Sequence, residues 1–402
     1  MPRTHDLTLF GATGFVGRLV AEHLAAQAPA GLRVALAGRD RSRLEQLRDR
    51  LGRPDWAVEV ADSGDRPSLD ALAGSSRVVL TTVGPYVRHG IPLVEACARA
   101  GTDYVDLTGE VLFVRESIDR AHAEAARTGA RIVHSCGFDS VPSDLAVHLL
   151  HAAAGARGLG DTTLLVTRLR GGLSGGTVDS MRQQLATVRA DRGAARLAKD
   201  PYALAPDRET VERRSGQRDS TSVFVDEATG QWTAPFVMAS YNTRVVRRSH
   251  ALVGYGEDFR YRELVATGRG ARGRWRAEAL RLGLGALWVG LSTPGLSTLT
   301  DRVLPAPGEG PSAERRAAGS FEVQVRTTAA DGTRHLATVG AQGDPGYAAT
   351  SVMVGQAALA LAVEPERCHP AGGVLTPAVA LGDVLVDRLR EQGFTLEVGR
   401  EL

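Results

Sequence analysis

Lysine is almost missing from this chain. Of its 48 basic residues one is a lysine, Lys199, and the others are arginines. Schiff-base chemistry and a lysine general base are thereby set aside, because Lys199 falls in a charged helical stretch with no apolar setting to lower its pKa. Cysteine is scarce as well. Cys97, Cys136 and Cys368 are far apart and form no CxxC pair, which speaks against a disulfide frame or a cysteine zinc site and suits a reducing compartment. His148 and His151 are the one close histidine pair, and no carboxylate belongs to their motif, so no metal is expected. An excess of one charge is also missing: 48 basic residues against 46 acidic ones leave +2, without the basic footprint of a nucleic-acid partner. No signal sequence precedes the first strand, so a cytoplasmic location is expected. The uncharged run Leu282 to Thr300 is broken by glycines, serines and Pro294, which argues against a spanning helix. It reads as a cover over an apolar substrate, a peripheral membrane contact or a buried helix.

Glycine, by contrast, is plentiful, and three glycines near the start organise the chain. Asp6 to Phe10 is a short strand-like run. It ends at Gly11-Ala12-Thr13-Gly14-Phe15-Val16-Gly17, after which Leu19, Val20, His23 and Leu24 follow helical spacing. A strand, a glycine turn and a helix in this order build an anion site: Gly11 permits the turn, Gly14 lets backbone approach a pyrophosphate, and Gly17 lets helix and strand pack closely. A dinucleotide site is the reading, with Thr13, Phe15 and Val16 in its wall.

Residues 6 to 135 alternate short β-rich runs with helical patterns, which predicts a parallel, doubly wound sheet of Rossmann type whose ligands lie at the strands' carboxyl ends. From about residue 157 the rhythm changes. Asp161 to Arg170, Pro235 to Val246, Phe259 to Thr267 and a hairpin of Phe321 to Thr328 with His335 to Ala341 all read as strands. Arg208 to Ser222 reads as a loop, and a long helix runs through Lys199. A chain of 402 residues is therefore expected to hold a dinucleotide-binding domain over 1–150 and an inserted α+β substrate or dimerisation domain, with a mixed or antiparallel sheet, over 151–343. Helices over 344–402 are expected to pack back on the first domain.

The loops after the strands carry the candidate chemistry. Strand two ends at Gly38 and Arg39, with Arg43 close behind, where an NAD site would place an acidic residue. Arginine's planar fork suits a 2′-phosphate and favours NADP(H), although a solvated helix start capped by Asp40 explains the same residues. Asp62 is expected either at the adenine or as a cap of the next helix. Val83, Gly84 and Pro85 let backbone pass near a flat ring, with Tyr86 and His89 as the proton-transfer groups beside it. After strand five, Asp106, Gly109 and Glu110 either orient the nicotinamide carboxamide or cap the following helix. Asp139, Ser140 and Ser143 read as an ordinary N-cap.

The opening GATGFVG, the AGR after strand two, VGPYVRHGIPLVEAC, YVDLTGE, GFDSVPSDL, GGLSGGT and GYAATSVM together resemble the saccharopine dehydrogenase-like oxidoreductases, and within them the bacterial trans-acting enoyl reductases. The resemblance covers most of the chain. It implies NADP(H) and reduction of a conjugated carbon–carbon double bond in a small-molecule or carrier-bound acyl or polyketide substrate. Tyr86 would be the acid, with His89 tuning or replacing it. A saccharopine-type dehydrogenase acting on a C–N or carbonyl bond is the second reading, and a non-catalytic NADP-binding scaffold the third. An arginine-lined bowl would favour dicarboxylic amino acids, whereas a long apolar tunnel would favour acyl chains. A homodimer is the base expectation for assembly.

Overall fold

A computed structural model describes residues 3–171, 175–206, 217–293 and 310–401. The amino-terminal unit runs β1 (His5–Phe10), α1 (Phe15–Gln27), β2 (Val34–Gly38), α2 (Arg41–Arg50), β3 (Ala57–Val60), α3 (Arg66–Ser75), β4 (Ser76–Thr81) and α4 (Tyr86–Ala100). It continues through β5 (Asp103–Val105), α5 (Val111–Thr128), β6 (Arg131–Val133) and α6 (Val141–Ala154). Every residue of β2 is buried, as expected for a parallel strand covered on both faces. Aspartates start two of the helices: Asp40 accepts the Arg43 N–H at the head of α2, and Asp65 accepts the Ser68 N–H at the head of α3, which satisfies donors that a helix terminus leaves open.

The second unit contains β7 (Leu159–Arg170), α7 (Gly175–Ala190), α8 (Arg192–Lys199), β8 (Phe224–Asp226), β9 (Gln231–Pro235), α9 (Ala239–Val253), β10 (Arg260–Gly268) and α10 (Gly270–Ser292). After it come α11 (Ala313–Ala317), β11 (Ser320–Ala329), β12 (Arg334–Gln342), α12 (Thr350–Val363), β13 (Gly373–Leu375), α13 (Pro377–Glu391) and β14 (Thr395–Arg400). Two seven-stranded sheets result. The first is ordered β13-β6-β5-β4-β1-β2-β3 and the second β14-β12-β11-β7-β10-β9-β8. All pairings in the first sheet are parallel. The second is mixed: β10 runs parallel to β7, whereas β11 and β12 form an antiparallel hairpin.

Several elements differ from the sequence reading. Pro235 to Val246 is not one strand: β9 stops at Pro235 and α9 begins at Ala239. Tyr241 and Val245 stand four residues apart and both are buried, so burial of one helical face outweighs the β-preference of a valine-rich stretch. The long helix through Lys199 is two helices, because Asp191 breaks it and caps α8 through the Ala194 N–H. α4 starts at Tyr86, directly after the Gly84-Pro85 break. The stretch 344–402 is not helices alone, since β13 extends the first sheet beside β6 and β14 the second beside β12. Of the expected loop, residues 208–216 lie outside the described residues, and within the remainder the Gln217 side chain accepts the Tyr261 N–H at 2.8 Å.

Among the described residues, Pro345–Val363 is the stretch long and apolar enough to cross a membrane, and 78% of it is buried. It packs against α1, α13 and β4 as core. The buried-helix reading fails for the described part of 282–300, for Leu282 is 62% and Val289 58% exposed on α10; residues 294–300 lie outside the described residues.

Candidate active site

A cleft of about 260 Å³ opens where the loops after β1, β4, β5 and β6 meet α7 and the turn before α12. Its floor is the glycine turn. Gly11 has φ +88°, a left-handed conformation that only glycine takes without strain. The Gly14 N–H donates to the Gly11 carbonyl at 3.0 Å. A Cβ on Gly17 would stand 2.1 Å from the Gly11 oxygen, so α1 lies against the turn only because that side chain is absent. No side chain caps α1, which leaves its first N–H groups and positive dipole end to face an anion. The Thr13 carbonyl accepts from Arg18 at 2.8 Å. Phe15 meets Tyr347 edge-on at 5.1 Å with the Arg316 guanidinium over its ring, and Val16 joins the cleft wall.

Beyond Gly38, Arg39 is exposed and has no hydrogen bond or ion pair among the described residues. Arg43 is 3.5 Å from Asp40, so of the two arginines only Arg39 keeps its donors unengaged. Both readings of this corner coexist, for Asp40 caps α2 while Arg39 remains available. Asp62 does not cap α3. Its Oδ1 accepts the Gly64 N–H at 2.8 Å in a local turn, and Asp65 provides the cap.

Val83 donates its N–H to Thr81 Oγ1, and Gly84 and Pro85 line the cleft. Glu110 caps the helix before it rather than the one after it. Its carboxylate accepts the Tyr86 N–H at 3.1 Å and the Val87 N–H at 2.6 Å, and Ser180 Oγ donates to it at 2.6 Å. Burial holds its pKa above the ordinary carboxylate value, with these donors opposing. Tyr86 stacks on Phe113 and donates its hydroxyl to the Thr81 carbonyl at 3.2 Å. Burial, reinforced by Asp106, raises that phenol well above its usual range. His89 sits one turn further along α4 and is not among the residues that line the cleft.

Asp106 belongs to a sealed network. It accepts from Tyr104, from the Thr108 and Ser135 N–H groups, and from His134 Nδ1 at 2.7 Å; Ser117 in turn donates to His134 Nε2 at 2.7 Å. The Ser117–His134–Asp106 order is that of a hydrolase triad, but the three are 0%, 2% and 0% exposed. No substrate reaches a nucleophile enclosed in this way, so the network braces β5 against α5 and β6.

The sequence reading missed much of the opposite wall. Ser180, Met181 and Gln184 of α7, Met238, and Tyr347 with Thr350 before and within α12 complete the cleft. The Tyr347 hydroxyl accepts the Gly175 N–H at 2.9 Å and so ties α7 to the turn before α12. The only signals for them were the glycine-rich GGLSGGT, of which residues 172–174 lie outside the described residues, and GYAATSVM. The supposed N-cap is Ser140, without a side-chain cap bond, and Asp139 instead lines the cleft beside Gly109. No described group of three or more His, Cys, Asp or Glu side chains is arranged to hold a metal ion.

With this geometry in hand, comparison with known proteins is informative. The saccharopine dehydrogenase NADP-binding domain matches residues 7–133. A Mycobacterium tuberculosis protein of the trans-acting enoyl reductase group is 46% identical over 99% of this chain and 98% of its own. The trans-acting enoyl reductase of Mycobacterium ulcerans is 44% identical over 99% and 98%. The chain belongs to the trans-acting enoyl reductase family. It is an NADP-dependent oxidoreductase. Its fold is that of yeast saccharopine dehydrogenase (L-Glu forming), with a TM-score of 0.57 at 15% identity over 98% of this chain and 99% of that one. The cofactor fits the residues present: the uncapped start of α1 and Gly14 suit a pyrophosphate, and the unengaged Arg39 suits a 2′-phosphate.

Proposed function

We propose that the protein reduces the conjugated carbon–carbon double bond of an acyl or polyketide-type thioester, presented by a carrier protein in the cytoplasm. The observation that carries this reading is the lining of the cleft, which holds no arginine, lysine or histidine among the described residues. Phe15, Val16, Pro85, Leu107, Phe138 and Met181 make it largely apolar. The lining thus offers no described cation to hold an amino acid with several carboxylates, which weighs against a saccharopine-type substrate.

When bound, NADPH supplies a hydride to the β-carbon. The protein's residues have three tasks. The glycine turn, the start of α1 and Arg39 hold the phosphates. Gly84, Pro85 and Gly109 leave room for a flat ring, while Glu110 fixes the α4 terminus beside it. Tyr86 and the apolar walls exclude water and hold the unsaturated chain, and one group delivers a proton to the α-carbon. Tyr86 could serve only by giving up its bond to Thr81 and instead shapes the wall, whereas His89 could serve only by reaching in from outside the lining. Peripheral contact through α10 and a homodimer complete the proposal, and flotation on anionic liposomes and light scattering test them.

The purified protein should oxidise NADPH in the presence of α,β-unsaturated thioesters such as crotonyl-CoA and longer 2-enoyl homologues, and should leave NADP⁺ unreduced with saccharopine. Reduction of NADP⁺ by saccharopine, with no turnover of any thioester in the panel, would reverse the assignment.

A further inference from the structure

We propose that Asp139, in the loop between β6 and α6, is the group that protonates the substrate's α-carbon; this rests on the enoyl-reductase reading above. Three observations single it out. First, it lines the cleft, and its Oδ2 would lie 3.0 Å from a Cβ placed on Gly109, so the carboxyl fits against bare backbone at the carboxyl end of the sheet. Second, the buried carboxylates around the site are engaged. Glu110 holds three donors, Asp106 four, and Asp144 is bonded to Ser249 and the Ala378 N–H. Asp139 has no hydrogen bond or ion pair among the described residues, and Ser140 occupies the cap position that would otherwise account for it. Third, the cleft lining holds no described cation to keep this carboxyl ionised.

The titratable groups around it are Tyr86 on α4, Asp179 on α7, Tyr241 on α9 and Tyr347 before α12. Tyr86 donates its hydroxyl to Thr81, Tyr241 is paired with Ser135, and Tyr347 accepts the Gly175 N–H; burial raises all three phenols above their ordinary value and leaves them weaker acids. Burial pushes Asp139 up to about 7. It is thus protonated over much of the physiological range yet acidic enough to release its proton. The step balances. As hydride adds to the β-carbon, the double-bond pair shifts toward the thioester carbonyl, and the α-carbon then takes the Asp139 proton. The resulting carboxylate is reprotonated from solvent. Asp179, which likewise has no hydrogen bond or ion pair among the described residues, rides on α7 across the cleft and serves as a comparison.

The test uses the full chain in wild-type, D139N, D139E, D179N and Y86F forms. In wild-type protein saturated with NADPH and labelled at aspartate ¹³Cγ, the resonance missing from D139N should titrate near pH 7. Titration in the ordinary carboxylate range would overturn the proposal, whether or not the thioester is a substrate. With crotonyl-CoA, D139N should lose about a hundredfold or more in kcat while its NADPH Kd stays within threefold, and D139E should regain part of that loss. Wild-type kcat should fall as pH rises through 7, with the fall kept in D179N and gone in D139N. A D139N rate within threefold of wild type, or the whole loss appearing in Y86F, would refute the role. If D139N does not fold, D139E supplies the assignment and the pH profile. If wild type turns over no thioester, the substrate reading fails, and the titration still decides whether Asp139 is held as an acid.

Discussion

Two side chains of the proposed site have no partner among the described residues. Arg39 and Asp139 stand out because neighbours of the same type are occupied: Arg43 by Asp40, and Glu110 by two backbone N–H groups and Ser180. Arg39 is proposed from its place in the chain, since the residue that ends strand two of such a sheet faces the adenosine ribose. Its exposure adds a quantitative expectation. Arg39→Ala should weaken NADPH binding about tenfold or more, as expected for charge-assisted bonds to a phosphate worth about 1.5–3 kcal/mol, while NADH affinity changes little. Equal losses for the two cofactors in fluorescence titrations would place the 2′-phosphate elsewhere. Asp139 was not legible in this sense, because an aspartate ahead of a helix is ordinarily a cap, and only the coordinates show that Ser140 holds that position.

Among the elements, those whose periodicity and boundary residues agreed were readable, and those where the two conflicted were not. The βα units of the first sheet combine apolar strands with aspartate-led helices such as α2 and α3. The caps can be tested singly. Asp65→Ala removes the acceptor of the Ser68 N–H and should cost about 1 kcal/mol, seen as a lower urea midpoint with NADPH affinity unchanged. No shift in midpoint would mean that α3 is held by packing alone. α9 was unreadable because its valines fit a strand equally well, and only the neighbours it packs against select a helix. α10 shows the opposite conflict. Trp275 is 73% exposed and Leu282 62%, a pattern that composition by itself places in a core.

Across the whole molecule, a buried polar seam joins α6 to α9 and β10. Asn242 of α9 donates to Glu263 of β10 and to Ser143 of α6, and Tyr261 donates its hydroxyl to Glu263 at 2.9 Å. Burial pushes Glu263 up to about 7, with Asp219 adding to the rise. A carboxyl raised on folding contributes stability that is present below its unfolded pKa and is lost as pH rises through the folded one. From 4.5 to about 7 this amounts to about 3 kcal/mol at most. Buried His23 acts in the other direction: burial and Arg388 lower it to about 4, so it costs stability only as pH falls below 6.5. Between pH 6.5 and 8 the carboxyl term therefore acts without it. Unfolding free energy should decline over that interval in the wild type and decline less in Glu263→Gln; equal slopes would remove Glu263 from the account.

The amino-acid order alone determined the parallel sheet, the phosphate turn and the preference for the phosphorylated cofactor. Each depends on neighbours within a few residues: a glycine at a left-handed turn, an uncapped helix start, an arginine at a strand end. The composition of the substrate cleft, the sealing of the Ser117–His134–Asp106 network and the isolation of Asp139 were decided only in three dimensions. These properties depend on which side chains from α7, α9 and the turn before α12 arrive at the carboxyl ends of the strands. Burial and hydrogen-bond partnership are set across such distances in the chain, and no local pattern encodes them.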